Sequence, residues 1–396
     1  MSESLRRYFD HNATTPISAA ARAAWMETAE KFWHNPSSLY REAGAAKRVL
    51  EDARESVADR LGAEPERIVF TAGATEANNA VMAFASRLSS GKGAWISSVE
   101  HPSVRESARS HFGAEGVTGI PAADATKAAD LDFLRERLET SGKPALISVM
   151  AANNETGVLQ PWREIGALCR EADVPFHCDA AQWIGKLPSA ELGSRADFVT
   201  GCAHKFGGPK GVGFLLIPES AVDDFRSLVG GPQESRHRAG TEDLPGILGM
   251  LAAWDEKPDD ELAAAEAERI RLRDRFESML VDRLPGTRIV APEAVRLWNT
   301  VMFVVPKHPN LKWLTRLSAA GFAVSTGSAC SAGRGNPSHV MEAMGLDFEE
   351  MGRVVRVSGG WDTTASDWGA LLEALVDVSA NLEAGKRDLG GMLGGG

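Results

Sequence analysis

The amino-acid sequence predicts an α/β protein built on a mostly parallel central sheet, and three observations support this fold class. Short apolar runs recur as far as residue 217, and amphipathic helical patterns lie between several of them. Such alternation is typical of βαβ units, in which a helix connects two parallel strands. The runs are almost continuously apolar, as expected for strands that helices cover on both faces of a sheet.

Six segments are predicted to form the strands of this sheet. They are, in chain order, RIVF (67–70), AWISSV (94–99), ALISVM (145–150), PFHCD (175–179), DFVT (197–200) and GVGFLLI (211–217). Between 45 and 61, apolar residues recur at spacings of three and four, which predicts an amphipathic helix. These residues are Leu50, Ala53, Val57 and Leu61.

The residue pattern changes after about residue 245 and predicts a second, smaller domain. A long charged helix (259–284) precedes the apolar runs NTVMFVV (299–305) and RVVRVSGG (353–360). A final amphipathic helix contains Trp368, Leu371, Leu372, Leu375 and Val376. We predict a large domain over 15–250, a small α+β domain formed by 1–14 with 251–388, and a disordered glycine-rich tail over 389–396.

Charge and cysteine content argue against several kinds of partner. The net charge of -11 disfavours nucleic acid or an anionic membrane surface as the main partner. The sequence has neither a secretory h-region nor an apolar run long enough to span a bilayer. Its four cysteines, Cys169, Cys178, Cys202 and Cys330, form no C-x-x-C pair, so a metal site is poorly supported. We expect a cytoplasmic protein.

Polar residues follow several predicted strands, at the sheet edge where α/β proteins bind ligands. After the first strand, TAGATEANN (71–79) forms a glycine-rich turn that opens a helix and is able to bind a phosphate through backbone N–H groups and Thr75. The other polar candidates at successive strand ends are His101, Asn153, Asn154, Glu155, Asp179, Gln182, His204 and Lys205.

Taken singly, each candidate has a simpler structural explanation. His101 fits a hydrogen-bonded structural residue, Lys205 a surface charge, and Asp179 the cap of a helix beginning near residue 180. Their joint placement favours a shared site instead. A buried acid needs a partner such as a protonated pyridine nitrogen. A lysine among glycines beside that acid suggests an amine that forms Schiff bases.

The motifs also resemble those of a known family. They are NATT, HNPSS, FTAGATEANN, EHPSV, NNETGVLQP, HCDAAQ, AHKFGGPKGVG, QESRHRAGTED, GSACS and VRVS. In combination they resemble the pyridoxal phosphate (PLP)-dependent cysteine desulfurases of the class V aminotransferase group. The resemblance runs from YFDHNATTP (8–16) to VVRVSGGWDTT (354–364). It implies PLP fold type I for the large domain and a homodimer with shared sites.

The resemblance assigns the PLP site. Lys205 would form the Schiff base with PLP, Asp179 would keep its pyridine nitrogen protonated, and His101 would stack on the ring and shuttle protons. Gln182 would hydrogen-bond the ring hydroxyl oxygen. The other implied PLP contacts are Ala74, Thr75, Asn154, His204 and, from the other subunit, Thr241. Relatives usually carry a hydroxyl residue where this chain has Cys202, whose thiol is a weaker donor, so we expect Cys202 to contact the phosphate poorly or not at all.

The resemblance also assigns the substrate, L-cysteine. Arg356 would bind its carboxylate, with Asn35 and Asn154 at the same end. Cys330 would take the substrate sulfur as a persulfide and leave L-alanine, and the stretch from Cys330 to Pro337 resembles the group with long cysteine loops. A sulfur-acceptor protein, whose identity stays open, would pass the sulfur to iron–sulfur cluster, thio-cofactor or tRNA thiolation pathways.

Two alternatives stay open at this point. A selenocysteine lyase, another PLP-dependent C–S lyase or an aminotransferase of the same fold would need no persulfide-forming cysteine, and GSACS argues against them. A catalytically inactive scaffold protein would need no intact site. The presence of Lys205, Asp179, His101 and Arg356 together argues against that second alternative.

Overall fold

The computed structural model describes residues 7–327 and 338–384, which form two sheets surrounded by helices. The α-helices are α1 (Ala19–Lys31), α2 (Arg41–Leu61), α3 (Ala74–Leu88), α4 (Pro102–Phe112), α5 (Leu131–Thr140), α6 (Trp162–Ala172), α7 (Leu192–Arg195), α8 (Leu244–Asp255), α9 (Asp259–Arg283), α10 (Asn310–Ala319), α11 (His339–Ala343), α12 (Phe348–Met351) and α13 (Ala365–Glu383). The strands are β1 (Ile68–Thr71), β2 (Ala94–Ser97), β3 (Val117–Ile120), β4 (Leu146–Ser148), β5 (Phe176–Asp179), β6 (Phe198–Cys202), β7 (Gly213–Leu216), β8 (Arg288–Ile289), β9 (Thr300–Val304) and β10 (Val354–Ser358). No helix in these two ranges is long and apolar enough to cross a lipid bilayer.

Seven strands form the larger sheet, in the order β1-β7-β6-β5-β4-β2-β3. Neighbouring strands from β6 to β3 run parallel, whereas β7 is antiparallel to both β1 and β6. The predicted α/β fold with a mostly parallel sheet is therefore confirmed. The sequence does not predict β3, because this edge strand is only partly buried and contains the exposed Gly119.

Helices cover both faces of this sheet. In α2, Leu50, Val57 and Leu61 are buried, as their spacing predicts. They belong to the same apolar cluster as Phe70 of β1, whereas the adjacent Val69 belongs to the cluster on the opposite face with α3 and α4. Successive residues of a strand point to opposite faces, so a strand buried on both sides must be apolar throughout.

Three strands form the smaller sheet, which is antiparallel in the order β10-β9-β8. The N-terminal segment runs beside it, since Asp10 bridges to Ser358 and Tyr8 bridges to Ala323. Helix α13 packs its buried face into the core of this part of the chain. After Leu375, the next residue on this buried face is Val378 rather than the predicted Val376. Residues three positions apart lie on the same side of a helix.

The predicted domain boundary at residue 250 falls inside helix α8. Trp254, near the end of that helix, stacks on Phe214 of β7 with ring centroids 5.7 Å apart and belongs to the core of the larger sheet. This packing favours a boundary after Asp255. The division into domains stays a prediction, and the predicted tail over 389–396 lies outside the described residues.

Candidate active site

The candidate site lies at the carboxyl ends of the parallel strands of the larger sheet. The turn after β1 brings two backbones together, since a Cβ on Gly213 would lie 2.8 Å from Cα of Gly73. Gly73 has a φ of +140° and precedes α3, whose N-terminus no side chain caps. The first backbone N–H groups of α3, at Ala74 and Thr75, are therefore suited to bind an anion.

Cys202 lies beside this helix N-terminus. Cys202 is buried, with 2 % of the residue exposed. Burial raises the pKa of Cys202 to about 11, although the nearby Lys205 acts in the opposite direction. The thiol is therefore protonated at neutral pH. Its contact with a phosphate stays a prediction.

Asp179 ends strand β5 and is 5 % exposed. Its Oδ2 accepts a hydrogen bond from Asn78 Nδ2 at 2.8 Å, and its Oδ1 accepts one from the Ala181 N–H at 3.0 Å. Turns rather than a helix follow it, so it does not cap an α-helix. Within 7–327 and 338–384 it forms no ion pair, so this buried carboxyl group has no cation in direct contact.

A chain of hydrogen bonds connects Asp179 to His101. Asn78 Nδ2 also donates to Ser103 Oγ at 2.9 Å, and Ser103 Oγ lies 2.8 Å from His101 Nδ1. The backbone N–H of Ser103 donates to the same ring nitrogen at 3.1 Å. Burial lowers the pKa of His101, so the imidazole is neutral, and because Nδ1 accepts, its proton is on Nε2.

Sequence reasoning did not single out Asn78 or Ser103. Asn78 lies one helical turn after Ala74 in α3, on the same face, and this spacing is the signal that points to it. Ser103 follows the helix start at His101, which is the N-cap of α4. Both residues act on side chains that the sequence did identify.

Lys205 ends the short 3₁₀ turn Ala203–Lys205 that follows β6. Its Nζ donates to the carbonyl oxygens of Asn12 at 2.7 Å and Ala13 at 2.8 Å. Burial lowers the pKa of Lys205, and Cys202 opposes that shift. A lowered pKa increases the fraction of neutral amine, which is the nucleophilic form.

Gln182 also contacts the N-terminal segment. It is 4 % exposed, and its Nε2 donates to the Asn12 carbonyl oxygen at 2.9 Å. Its Oε1 accepts a hydrogen bond from Lys186 Nζ at 2.5 Å. Lys186 is a buried lysine near the partly buried Lys205, and it is not evident from the sequence, because its burial depends on the tertiary fold.

Arg356 lies in the middle of β10 and is 2 % exposed. Its Nη1 donates to the carbonyl oxygens of Gly327 at 2.7 Å and Asn154 at 3.0 Å, and its Nη2 forms an ion pair with Asp10. Its buried Nε has no hydrogen-bond partner among the described residues. The guanidinium thus lies where the two sheets and the N-terminal segment meet.

The chain as a whole is similar to known proteins. Residues 7–371 match the family model described as Aminotransferase class-V. The chain belongs to the class-V aminotransferase family. It is 36% identical over 384 residues to a cysteine desulfurase from Cereibacter sphaeroides, which covers 96% of this chain and 97% of the relative.

Solved structures confirm the fold of this class-V family member. A NifS-like protein matches with a TM-score of 0.83 at 30% identity, over 94% of this chain and 99% of the other. SspA in complex with cysteine matches with a TM-score of 0.73 at 29% identity, over 90% of this chain and 100% of the other. Class-V aminotransferases and cysteine desulfurases are PLP-dependent enzymes, and so is this member.

The residues at the sheet edge fit PLP. The buried Asp179 carboxylate lacks a cationic partner among the described residues, and a protonated pyridine nitrogen is such a partner. Lys205 offers an amine that, among the described residues, donates only to backbone oxygens. The uncapped start of α3 at Ala74 and Thr75 is suited to the phosphate.

Other predicted site residues lie further out or beyond the described chain. His204 Nδ1 lies 3.2 Å from Thr14 Oγ1, and burial lowers the pKa of His204 to about 4, so it is neutral. Asn35 and Thr241 are exposed on the single chain and make none of the contacts above. Cys330 lies outside the described residues.

Proposed function

We propose that this protein is a cysteine desulfurase. In the proposed reaction, L-cysteine and a thiol of the enzyme give L-alanine and a persulfide on the enzyme. The observation that carries the proposal is the placement of Lys205 and a buried Asp179, which forms no ion pair within the described residues, at one sheet edge, in a chain 36% identical to a cysteine desulfurase. PLP-dependent enzymes use such a pair: a lysine that forms a Schiff base with PLP and an acid that contacts its ring nitrogen.

The PLP contacts follow from this proposal. Bound PLP would supply an electron sink that stabilises negative charge on the substrate Cα. Lys205 would attach it, Asp179 would keep its ring nitrogen protonated, and Gln182 would donate to its ring oxygen. Ala74, Thr75 and His204 would bind its phosphate, with Asn154 and Cys202 as further candidates.

Two side chains are proposed to move protons. The Lys205 Nζ would take the proton from the substrate Cα, and its lowered pKa favours the neutral amine that this step needs. The neutral His101 holds its proton on Nε2, so it is first a donor at that atom. The Asp179–Asn78–Ser103 chain of hydrogen bonds supports this tautomer.

Arg356 is proposed to bind the substrate carboxylate. Its unpartnered Nε leaves one buried donor, and a carboxylate would also compete with Asp10 for the guanidinium. The Asn154 backbone oxygen accepts a hydrogen bond from Arg356. Asn154 and Asn35 are proposed to assist in binding the substrate carboxylate.

Cys330 is proposed to receive the sulfur. Its sulfur would form an S–S bond to the substrate sulfur while the substrate Cβ–S bond breaks, and the remaining three-carbon unit would take up a proton and leave as L-alanine. A sulfur-acceptor protein would then collect the persulfide sulfur for iron–sulfur cluster, thio-cofactor or tRNA thiolation pathways. The cytoplasm is the proposed compartment.

A homodimer is part of the proposal. Thr241 is exposed on the single chain and would reach the phosphate of the other subunit. The segment from 17 to 40 exposes several large apolar side chains that a second subunit would cover. They are Ile17, Trp25, Met26, Trp33, Leu39 and Tyr40.

The test is product analysis with L-cysteine under reducing conditions. The proposal predicts equal amounts of alanine and sulfide, and loss of both in Cys330→Ser. Cys169→Ser is the matched control, because Cys169 is buried in α6 away from the sheet edge and should leave the rate unchanged. Full alanine production by Cys330→Ser would contradict the persulfide route through Cys330, whereas sulfide accompanied by pyruvate and ammonia instead of alanine would indicate direct elimination.

A further inference from the structure

Lys186 is a buried lysine for which the proposed reaction has no role. The residue is 3 % exposed. Its Nζ donates to Gln182 Oε1 at 2.5 Å and to the Gln182 backbone oxygen at 3.4 Å. No carboxylate forms an ion pair with it in the described parts of the chain. A buried ammonium without a counter-ion is costly, so its retention calls for a second interaction.

The contact with Lys186 decides which way the Gln182 amide faces. An ammonium group can only donate, so the atom that faces it must be the amide oxygen. The amide nitrogen carries two hydrogens, and one of them is donated to the Asn12 carbonyl oxygen at 2.9 Å. The second hydrogen is left for another acceptor.

The groups that surround Lys186 in the described chain are cationic or neutral. Burial, followed by the positive charge of Lys205, lowers the pKa of Lys186 to about 7. The charged or titratable groups that interact with Lys186 are His11, Cys202, His204, Lys205 and Arg356. None of these groups is a carboxylate, so an anion nearby would favour the charged form of Lys186.

We propose that Lys186 is a positioning residue that holds the Gln182 amide oxygen, so that Gln182 donates its free N–H to the anionic ring oxygen of PLP. The inference rests on the proposed function. In this arrangement the Lys186 ammonium contacts the Gln182 amide oxygen, and the Gln182 amide nitrogen faces the ring oxygen of PLP. Lys186 thus adds positive charge near that ring oxygen. PLP in turn supplies the negative charge that Lys186 lacks.

The consequence is a shift in the pH titration of bound PLP. The covalent link between PLP and Lys205 loses a proton as the pH rises, and its absorbance changes. In the deprotonated form, no positive charge on the link balances the negative ring oxygen. A positive charge at Lys186 therefore stabilises that form and lowers the midpoint pH of the titration. Loss of Lys186 should therefore raise the midpoint, by about one pH unit.

The experiment titrates the visible absorbance of the PLP-loaded protein and of Lys186→Met. Lys210→Met is the matched control, because Lys210 is an exposed lysine near His204. The midpoint of the PLP titration in this variant should stay within about 0.2 pH units of the parent value. An unchanged midpoint in a Lys186→Met protein that binds PLP would overturn the inference alone. Absence of PLP absorbance in the unaltered protein would overturn the proposed function as well.

A double-variant cycle separates positioning from charge acting through space. In a Gln182→Ala background, Lys186→Met should shift the midpoint much less than in the parent protein. An equal shift in both backgrounds would contradict the role of Gln182.

Replacing an unpaired buried charge with Met should preserve folding. If it does not, Lys186→Gln, a neutral donor, should show a smaller upward shift in the same titration, and no shift would overturn the proposal.

Discussion

The two sheets contribute to the candidate site in different ways. The larger sheet supplies Asp179, His101 and Lys205 from the turns that follow separate strands, and hydrogen bonds from nearby residues hold each of them. The smaller sheet supplies Arg356 from the middle of a strand, with Asp10 as its ion-pair partner.

This difference shows that the two halves of the site depend on different parts of the fold. The proposed PLP half lies at one edge of the larger sheet and also contacts the N-terminal segment, through the Asn12 carbonyl oxygen. The proposed carboxylate half needs both sheets and the N-terminal segment in register, because Arg356 contacts Asn154 beyond β4 and Gly327 before the undescribed segment. Substitutions in the two halves should therefore have separable effects.

The largest expected effect is that of Lys205→Ala. It should abolish the visible absorbance of bound PLP and lower kcat by roughly 10²–10⁴-fold, the range for loss of a positioned base. Absorbance spectra and alanine production measure both effects. If Lys205→Ala retained the absorbance of the parent protein, the assignment of the PLP half would be wrong.

A smaller and different effect is expected for Arg356→Lys. Lysine keeps the positive charge but loses the bidentate geometry, so KM for L-cysteine should rise about tenfold or more while the absorbance of bound PLP stays the same. Steady-state kinetics with parallel spectra test this separation. A large change in the PLP spectrum would show that the halves are not independent.

The smallest effect is expected where the two halves meet, at Glu155. This buried carboxylate accepts the Ser338 hydroxyl at 2.8 Å and 3.0 Å, and burial raises its pKa. Because the pKa of Glu155 is higher in the folded protein than in the unfolded chain, the protonated group stabilises the fold. This contribution to the free energy of unfolding is fully present below the pKa of the unfolded chain, about 4.5, and is lost as the pH rises through the pKa of the folded protein.

Glu155→Gln mimics the protonated group, so its free energy of unfolding should exceed that of the parent at pH 8 by about 1 kcal/mol and match it near pH 4.5. Urea denaturation at the two pH values measures the difference. Equal stability differences at both pH values would contradict the raised pKa. Ser338→Ala is the matched control, because it removes the partner without removing the carboxyl.

The sequence predicts the parts of the fold that local pattern determines. Six strands of the larger sheet are apolar runs bounded by polar turns, and each is present. Strand β3 lacks such a run because it lies at the edge. The residues at strand ends, including Asp179 and Lys205, are also found from sequence, because the ends of parallel strands meet at one edge.

The contacts between distant segments could not be predicted. Asp10 and Arg356 are 346 positions apart, and only the pairing of the N-terminal segment with the smaller sheet brings them together. Lys186 looks like a surface lysine in the sequence because its burial is a property of the tertiary fold. Asn78 is one of several polar residues at the start of α3, and only its contact with Asp179 distinguishes it.

The most direct test of the account is to locate the attached PLP. Two lysines, the buried Lys186 and the partly buried Lys205, lie in the same part of the molecule, and only Lys205 is proposed to bind PLP covalently. Borohydride reduction of the PLP-loaded protein, proteolysis and mass spectrometry identify the modified peptide. Modification of Lys205 alone is the expected result. Modification of Lys186, or of neither lysine, would contradict it.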